Sequence, residues 1–189
     1  MIRIGILGDI GSGKSYVAQN FGYPVFNADY EVAKLYQQNK YVFNKLKIKL
    51  PKYIYSFPIE KSEISNAILT NKNNLKKIVK IVHVEIRKKL NNFLKKNKNK
   101  KIVILDIPLL LENKINKKED ILVFVQANRA SIVERLKKRK NFNQKLFKKF
   151  KNIQYSTKYK KKKSHFIIKN NFTKKSVTDG VQNILKKIL

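Results

Sequence analysis

The stretch Gly8-Asp9-Ile10-Gly11-Ser12-Gly13-Lys14-Ser15 constrains this chain more than any other. Two glycines bracket four residues and are followed by Lys and Ser. The apolar, β-branched run Ile2–Leu7 comes before it, and Tyr16–Phe21 after it reads as helix. A strand that delivers such a loop into a helix lets glycine N–H groups turn inward. The helix aims the positive end of its dipole at the same point. The segment from Gly8 to Tyr16 is therefore expected to wrap the phosphates of a nucleotide. Lys14 would reach the β- and γ-phosphates, and the Ser15 hydroxyl would ligate Mg²⁺. A glycine-rich turn before an ordinary helix is the bland alternative; the filled fixed positions and the strand–loop–helix context argue against it.

The rest of the chain continues the alternation. Tyr23–Ala28 reads as a second strand ending at Asp29, where a helix begins. An acid at that junction lies on the carboxyl edge of the sheet with the phosphate loop. Asp29 could act as a base toward an acceptor hydroxyl, help hold Mg²⁺ through water, or cap the helix. Lys101–Asp106 (KIVILD) has the apolar run of a strand buried on both faces. Its terminal Asp106 stands where an acid orients Mg²⁺ or its water, or caps a turn. Pro108 and Leu109 follow in a segment too apolar for a free surface loop and are expected to pack on the substrate side of the core. Ile121–Val125 and His165–Lys169 complete a mostly parallel, five-stranded α/β sheet with helices on both faces.

Between these elements lie two stretches that do not alternate. Gln37–Lys100 holds a long amphipathic helix, with Leu75, Ile78, Val82, Ile86, Leu90 and Phe93 at spacings of three and four. His83 and Arg87 are one turn apart beside that stripe. Lys137–Lys163 is dense in lysine, with helical spacing from a cap at Asn143. The sequence thus suggests one domain: a core of approximately 1–36, 101–136 and 164–189, a substrate cap of 37–100, and a lid of 137–163. A basic hairpin poorly anchored to the core suits a lid that closes over phosphates. On the helix that Asn128 or Ser131 can cap and that continues to about Arg139, Arg135 and Arg139 are four apart and are expected to share a face.

The formal charge is +32, from 44 Lys+Arg against 12 Asp+Glu, but only five of the cations are arginine. Base readout favours arginine for its planar fork, so a specific nucleic-acid partner is not expected. A positive field that draws in polyphosphates is. There is no cysteine, hence no disulfide or thiolate chemistry, and no apolar run reaches the roughly 20 residues of a membrane helix. A cytoplasmic protein, monomeric or weakly oligomeric, is the expectation.

Taken in order, G-D-I-G-S-G-K-S, F-N-A-D-Y-E-V-A, I-V-H-V-E-I-R, D-I-P-L-L-L-E-N, E-R-L-K-K-R and H-F-I-I-K-N-N resemble the dephospho-CoA kinase family over nearly the whole chain. The resemblance implies a P-loop, nucleoside-monophosphate-kinase-like core that moves the ATP γ-phosphate to the ribose 3′-hydroxyl of dephospho-CoA. It also implies roles: Asp29 as the acid on the acceptor hydroxyl, His83 (with Arg87 nearby) on the substrate, and Arg139 as the lid arginine near the phosphates. Several positions depart from the family pattern. Asp9 stands where the family usually has Gly; a carboxylate aimed at a triphosphate would repel it, so its side chain is expected to face outward. Tyr16, Asn27, Val84, Lys140 and Lys169 also differ, Asn27 replacing the first acid of a D-A-D. The competing expectations are a related kinase acting on a nucleoside monophosphate, a nucleic-acid-binding ATPase, and a nucleotide binder without turnover.

Overall fold

A computed structural model describes residues 1–139 and 142–189, so Lys140 lies outside the described residues. The chain divides into two compact units, residues 1–27 with 97–189, and residues 28–96.

The first unit is built on five strands: β1 (Ile2–Gly8), β2 (Val25–Asn27), β3 (Ile102–Asp106), β4 (Ile121–Gln126) and β5 (Phe166–Lys169). All are parallel, in the order β2-β3-β1-β4-β5. β1 sits in the middle, paired with β3 on one side and β4 on the other. Ile4 to Gly8 are buried, as is every residue of β3. The order reverses direction at β1, which opens a crevice beyond its carboxyl end, the usual ligand position of such sheets. The register places Asn27 beside Asp106 and Gly8 beside Val125, so the carboxyl ends align.

Helix α1 (Lys14–Asn20) buries Val17 and Ala18 under the sheet, together with Phe21. The same cluster takes Val177, Val181 and Ile184 of the C-terminal helix (Lys174–Ile188), capped by Thr173 through Ser176 N. Each fully buried aliphatic side chain of this kind contributes about 1.5–3 kcal/mol relative to exposure. At the amino ends of the strands, Arg3 Nη2 donates to Asp120 Oδ2 at 3.0 Å, and Asp120 also accepts Lys117 N at 2.9 Å. Asp120 is buried.

The second unit starts with α2 (Ala28–Gln38), followed by α3 (Lys40–Lys49), α4 (Lys61–Thr70) and the 25-residue α5 (Lys72–Lys96). The expected core boundary at residue 36 falls instead at 27. Leu35 of α2 is fully buried among helices, and α2 packs on α3 and α5, where Glu31 meets Lys89 at 3.0 Å. Helix α5 presents the expected stripe, burying Ile78, Val82, Ile86 and Leu90. Buried Glu63 fixes the corner before α4, its Oε1 accepting the backbone N–H groups of Tyr55 and Ser56.

After β4 come α6 (Arg129–Lys137), α7 (Gln144–Asn152) and α8 (Thr157–Lys163). Asn128, Asn143 and Ser156 cap them by accepting Ala130 N, Leu146 N and Tyr159 N. No residue of α7 is buried, whereas α8 packs on β1 and β4.

Candidate active site

The phosphate loop owes its shape to its glycines. Gly11 and Gly13 have φ of 87° and 90°, in the left-handed region that a Cβ makes costly. Space reinforces the choice, since a Cβ on Gly13 would lie 2.4 Å from Asn170 Nδ2. Asn170, buried just past β5, donates from that nitrogen to Ser12 O at 2.9 Å and accepts Phe172 N at 2.8 Å. It ties the end of β5 to the loop, a role that no local pattern of residues assigns. Ser12 Oγ is buried with no hydrogen-bond partner among the described residues and faces Gly8 closely enough that a Cβ there would come within 2.6 Å. An orphaned hydroxyl inside a glycine-shaped cradle suits a ligand rich in oxygen acceptors.

Lys14, the first residue of α1, donates from Nζ to Asp9 O at 2.9 Å and Gly8 O at 3.3 Å. Ser15 follows it and is exposed. Across the crevice, buried Asp106 accepts from Asn27 Nδ2 at 2.9 Å and from the Ser15 hydroxyl. Burial raises the Asp106 carboxyl above its ordinary value, against the Ser15 hydrogen bond and the Lys14 charge. A carboxylate held up by desolvation gains from a cation brought to it. Asn27 fits this arrangement better than an acid would, because an amide donates where a second carboxylate would repel. Ser15 and Asp106, the two groups expected to hold Mg²⁺, are brought together as one hydroxyl and one carboxylate. Among the described residues no cluster of three or more His, Cys, Asp or Glu could hold a metal by itself. Such a pair matches Mg²⁺, which keeps waters and takes phosphate oxygens as ligands.

Pro108 and Leu109 lie half-buried after β3, Leu109 with a φ of 60°. They line a pocket with Gly8, Lys14, Glu112 and Lys160, and Leu110 beneath them packs on Gly5.

Several expectations require correction. Asp9, expected to face outward, turns its partly exposed carboxylate to α8. Its Oδ1 accepts from Lys160 Nζ at 2.8 Å and its Oδ2 from Thr157 Oγ1 at 2.9 Å, both on α8. The basic hairpin is anchored: besides these bonds, Glu112 Oε1 accepts Tyr155 N at 2.7 Å, so only α7 lacks buried residues. Arg135 and Arg139 do not share a helical face, because α6 ends at Lys137. Arg139 lies beyond it and is exposed, while Arg135 stands 4.3 Å over the Phe172 ring. Asp29 is not a cap residue, since α2 already begins at Ala28; it sits exposed in the first turn.

In the second unit, His83 is half-buried and Arg87 exposed, one turn apart on α5. Burial, and then the Arg87 charge, hold the imidazole below its ordinary 6.5. An NMR pH titration should find the His83 midpoint below that value, and Arg87→Ala should raise it only part of the way, burial being the larger cause. The unfolded chain takes the proton first, so this group subtracts stability as pH falls below 6.5. A His83 midpoint at or above 6.5 would contradict the described surroundings.

A parallel sheet with a glycine cradle on its central strand, a lysine at the head of the next helix, and an acid at the end of the neighbouring strand defines a P-loop phosphotransferase. Residues 2–176 match the dephospho-CoA kinase family. Two curated relatives, each a dephospho-CoA kinase, come from Wolbachia of Brugia malayi (strain TRS) and Wolbachia pipientis wMel. They are 32% and 33% identical over 190 residues, covering 98% of this chain and 97% of each relative. A crystal structure of a Thermus thermophilus protein superposes with a TM-score of 0.81 at 26% identity, covering 100% of this chain and 98% of the other. The chain belongs to the dephospho-CoA kinase family. Its function is the ATP-dependent phosphorylation of dephospho-CoA to coenzyme A.

Proposed function

We propose that the reaction is carried by the cradle at the end of β1. ATP lies with its phosphates in the loop Gly8–Tyr16, Lys14 stabilises charge on the transferring group, and Ser15 and Asp106, the latter through water, hold Mg²⁺. The observation that supports this most directly is the convergence on Asp106 of the Ser15 hydroxyl and the Lys14 charge, beside a glycine-shaped loop. Bound Mg²⁺ would neutralise charge on the phosphate oxygens. Asp29, two residues along the chain from Asn27, aligns the ribose 3′-hydroxyl of dephospho-CoA. In a loose transition state the hydroxyl proton leaves late, so alignment is most of what Asp29 has to supply. Arg139, exposed just past α6, closes on the phosphates. His83, Arg87, Pro108 and Leu109 contact the acceptor.

Residues 37–100 act as the substrate cap and 137–163 as the lid. We also place the protein in the cytoplasm as a monomer or weak oligomer with no specific nucleic-acid partner. No helix among the described residues is long and apolar enough to cross a membrane.

The test is phosphate transfer from Mg-ATP at low salt, with dephospho-CoA, adenosine and the common nucleoside monophosphates offered in parallel. Transfer confined to dephospho-CoA, with the product phosphorylated at the 3′ position, is the expected result. Transfer to another ribose hydroxyl would overturn the placement of Asp29.

A further inference from the structure

Asp9 is an acid inside a phosphate-binding loop, in a chain with 12 acids against 44 Lys and Arg. Its backbone serves the loop, since Asp9 O accepts Ser12 N at 3.1 Å and Lys14 Nζ at 2.9 Å. Its carboxylate serves α8 instead, where each oxygen takes one bond, from Lys160 and from Thr157. Lys160 is the unusual partner. It stands in the run Thr157–Lys163 (TKYKKKK), where three neighbouring lysines are exposed or half-buried, yet its own side chain is only 4% exposed. Its ammonium has three acceptors: Asp9 Oδ1 at 2.8 Å, Gly8 O at 3.3 Å and Gln154 Oε1 at 3.3 Å. Lys14 and Lys160 therefore both donate to Gly8 O and line the same pocket.

A buried ammonium needs a counter-charge, and Asp9 supplies it. The carboxylate is itself 39% exposed and feels Lys14 as well. Burial opposes its ionisation, but the bonds and charge of Lys160, the Thr157 hydroxyl and the Lys14 charge together hold it below the ordinary carboxyl value. It is thus an anion at neutral pH. A triphosphate bound in the loop is a second anion offered to the same ammonium, with more charge and more acceptor oxygens.

Resting on the proposed placement of ATP in the loop, we propose that Asp9, Thr157 and Lys160 form an ionic clasp in which the Asp9 carboxylate and the nucleotide phosphates compete for Lys160. The clasp keeps α8 seated on the phosphate loop and makes Lys160 a second phosphate-binding lysine. Asp9 is then a positioning residue that sets nucleotide affinity through Lys160. The selectivity is for phosphate, so a ligand without phosphates is unaffected by it.

The experiment is a double-mutant cycle on nucleotide binding by calorimetry, using ATP and adenosine as probes, in wild type, Asp9→Asn, Lys160→Met and the double variant. Asparagine keeps the shape and removes the charge; methionine keeps the buried stem. Asp9→Asn should bind ATP about tenfold tighter, a typical scale for one partly exposed charge, and adenosine equally well. Lys160→Met should weaken ATP binding and abolish the effect of Asp9→Asn. Hydrogen exchange adds a readout that does not depend on ATP: α8 amides should exchange faster in Asp9→Asn and in the milder Thr157→Val, and slow again when ATP is added. An Asp9→Asn gain that persists without Lys160 would reduce Asp9 to simple repulsion and overturn the clasp. So would unchanged α8 exchange. Failure of ATP to bind wild type would instead defeat the placement of ATP, with the clasp falling as a consequence.

Discussion

Lys14→Ala should lower the turnover number by about three orders of magnitude or more, with ATP affinity falling by about tenfold. The larger effect belongs in kcat because the charge Lys14 faces grows as the phosphoryl group transfers. Interactions present mainly in the transition state appear in kcat rather than in binding. Three decades in rate correspond to about 4 kcal/mol. Lys14 donates to two backbone carbonyls of the loop and is half-buried, so its loss removes little packing. The variant should melt close to wild type. Lys14→Arg should not restore activity, since a planar fork does not reach into a cradle shaped for a point donor. Steady-state kinetics with dephospho-CoA, alongside thermal melts, checks all three statements. A fall confined to KM would mean that Lys14 only binds.

Asp29→Asn should lower kcat by about two orders of magnitude or more and leave the dissociation constant for ATP nearly unchanged. The amide is isosteric but cannot accept the hydroxyl's proton, and it orients that hydroxyl with half the acceptor capacity. Asp29 is exposed in the first turn of α2, where an acid gains about 0.3–1 kcal/mol from the helix dipole. A structural role of that size moves the melting temperature slightly and the rate hardly at all. The kcat loss therefore separates the two roles, and unchanged turnover would remove Asp29 from the reaction.

Much of this was legible because the relevant signals are local. The phosphate loop announces itself by spacing, the strand Ile102–Asp106 by an apolar run with a terminal acid, and the cap Asn143 by residue type just before a periodic segment. Sheet order is a non-local quantity, and nothing in the strands themselves states that β1 lies between β3 and β4. Helix α3 was hidden in Gln37–Pro58. Its buried face is only Val42 and Leu46, while Tyr41 and Ile48 are apolar and exposed, which blurs the period. Helix α2 was assigned to the core because it follows a strand, whereas its buried Leu35 belongs to the helical unit. Lys160 was the clearest miss. Apolar periodicity cannot pick one buried lysine from four in a row, but an acid in a phosphate loop of so basic a chain implies a cation held close to it.

The Arg3–Asp120 pair occupies the amino ends of the strands, at the opposite pole of the sheet from the phosphate cradle. A parallel sheet gathers its chemistry at one rim and leaves the other free for anchoring. Robustness and catalysis in this enzyme therefore draw on different residues and can be adjusted separately. A chain this rich in lysine can keep both, because the acid that fastens one rim and the donors that work at the other are few and far apart.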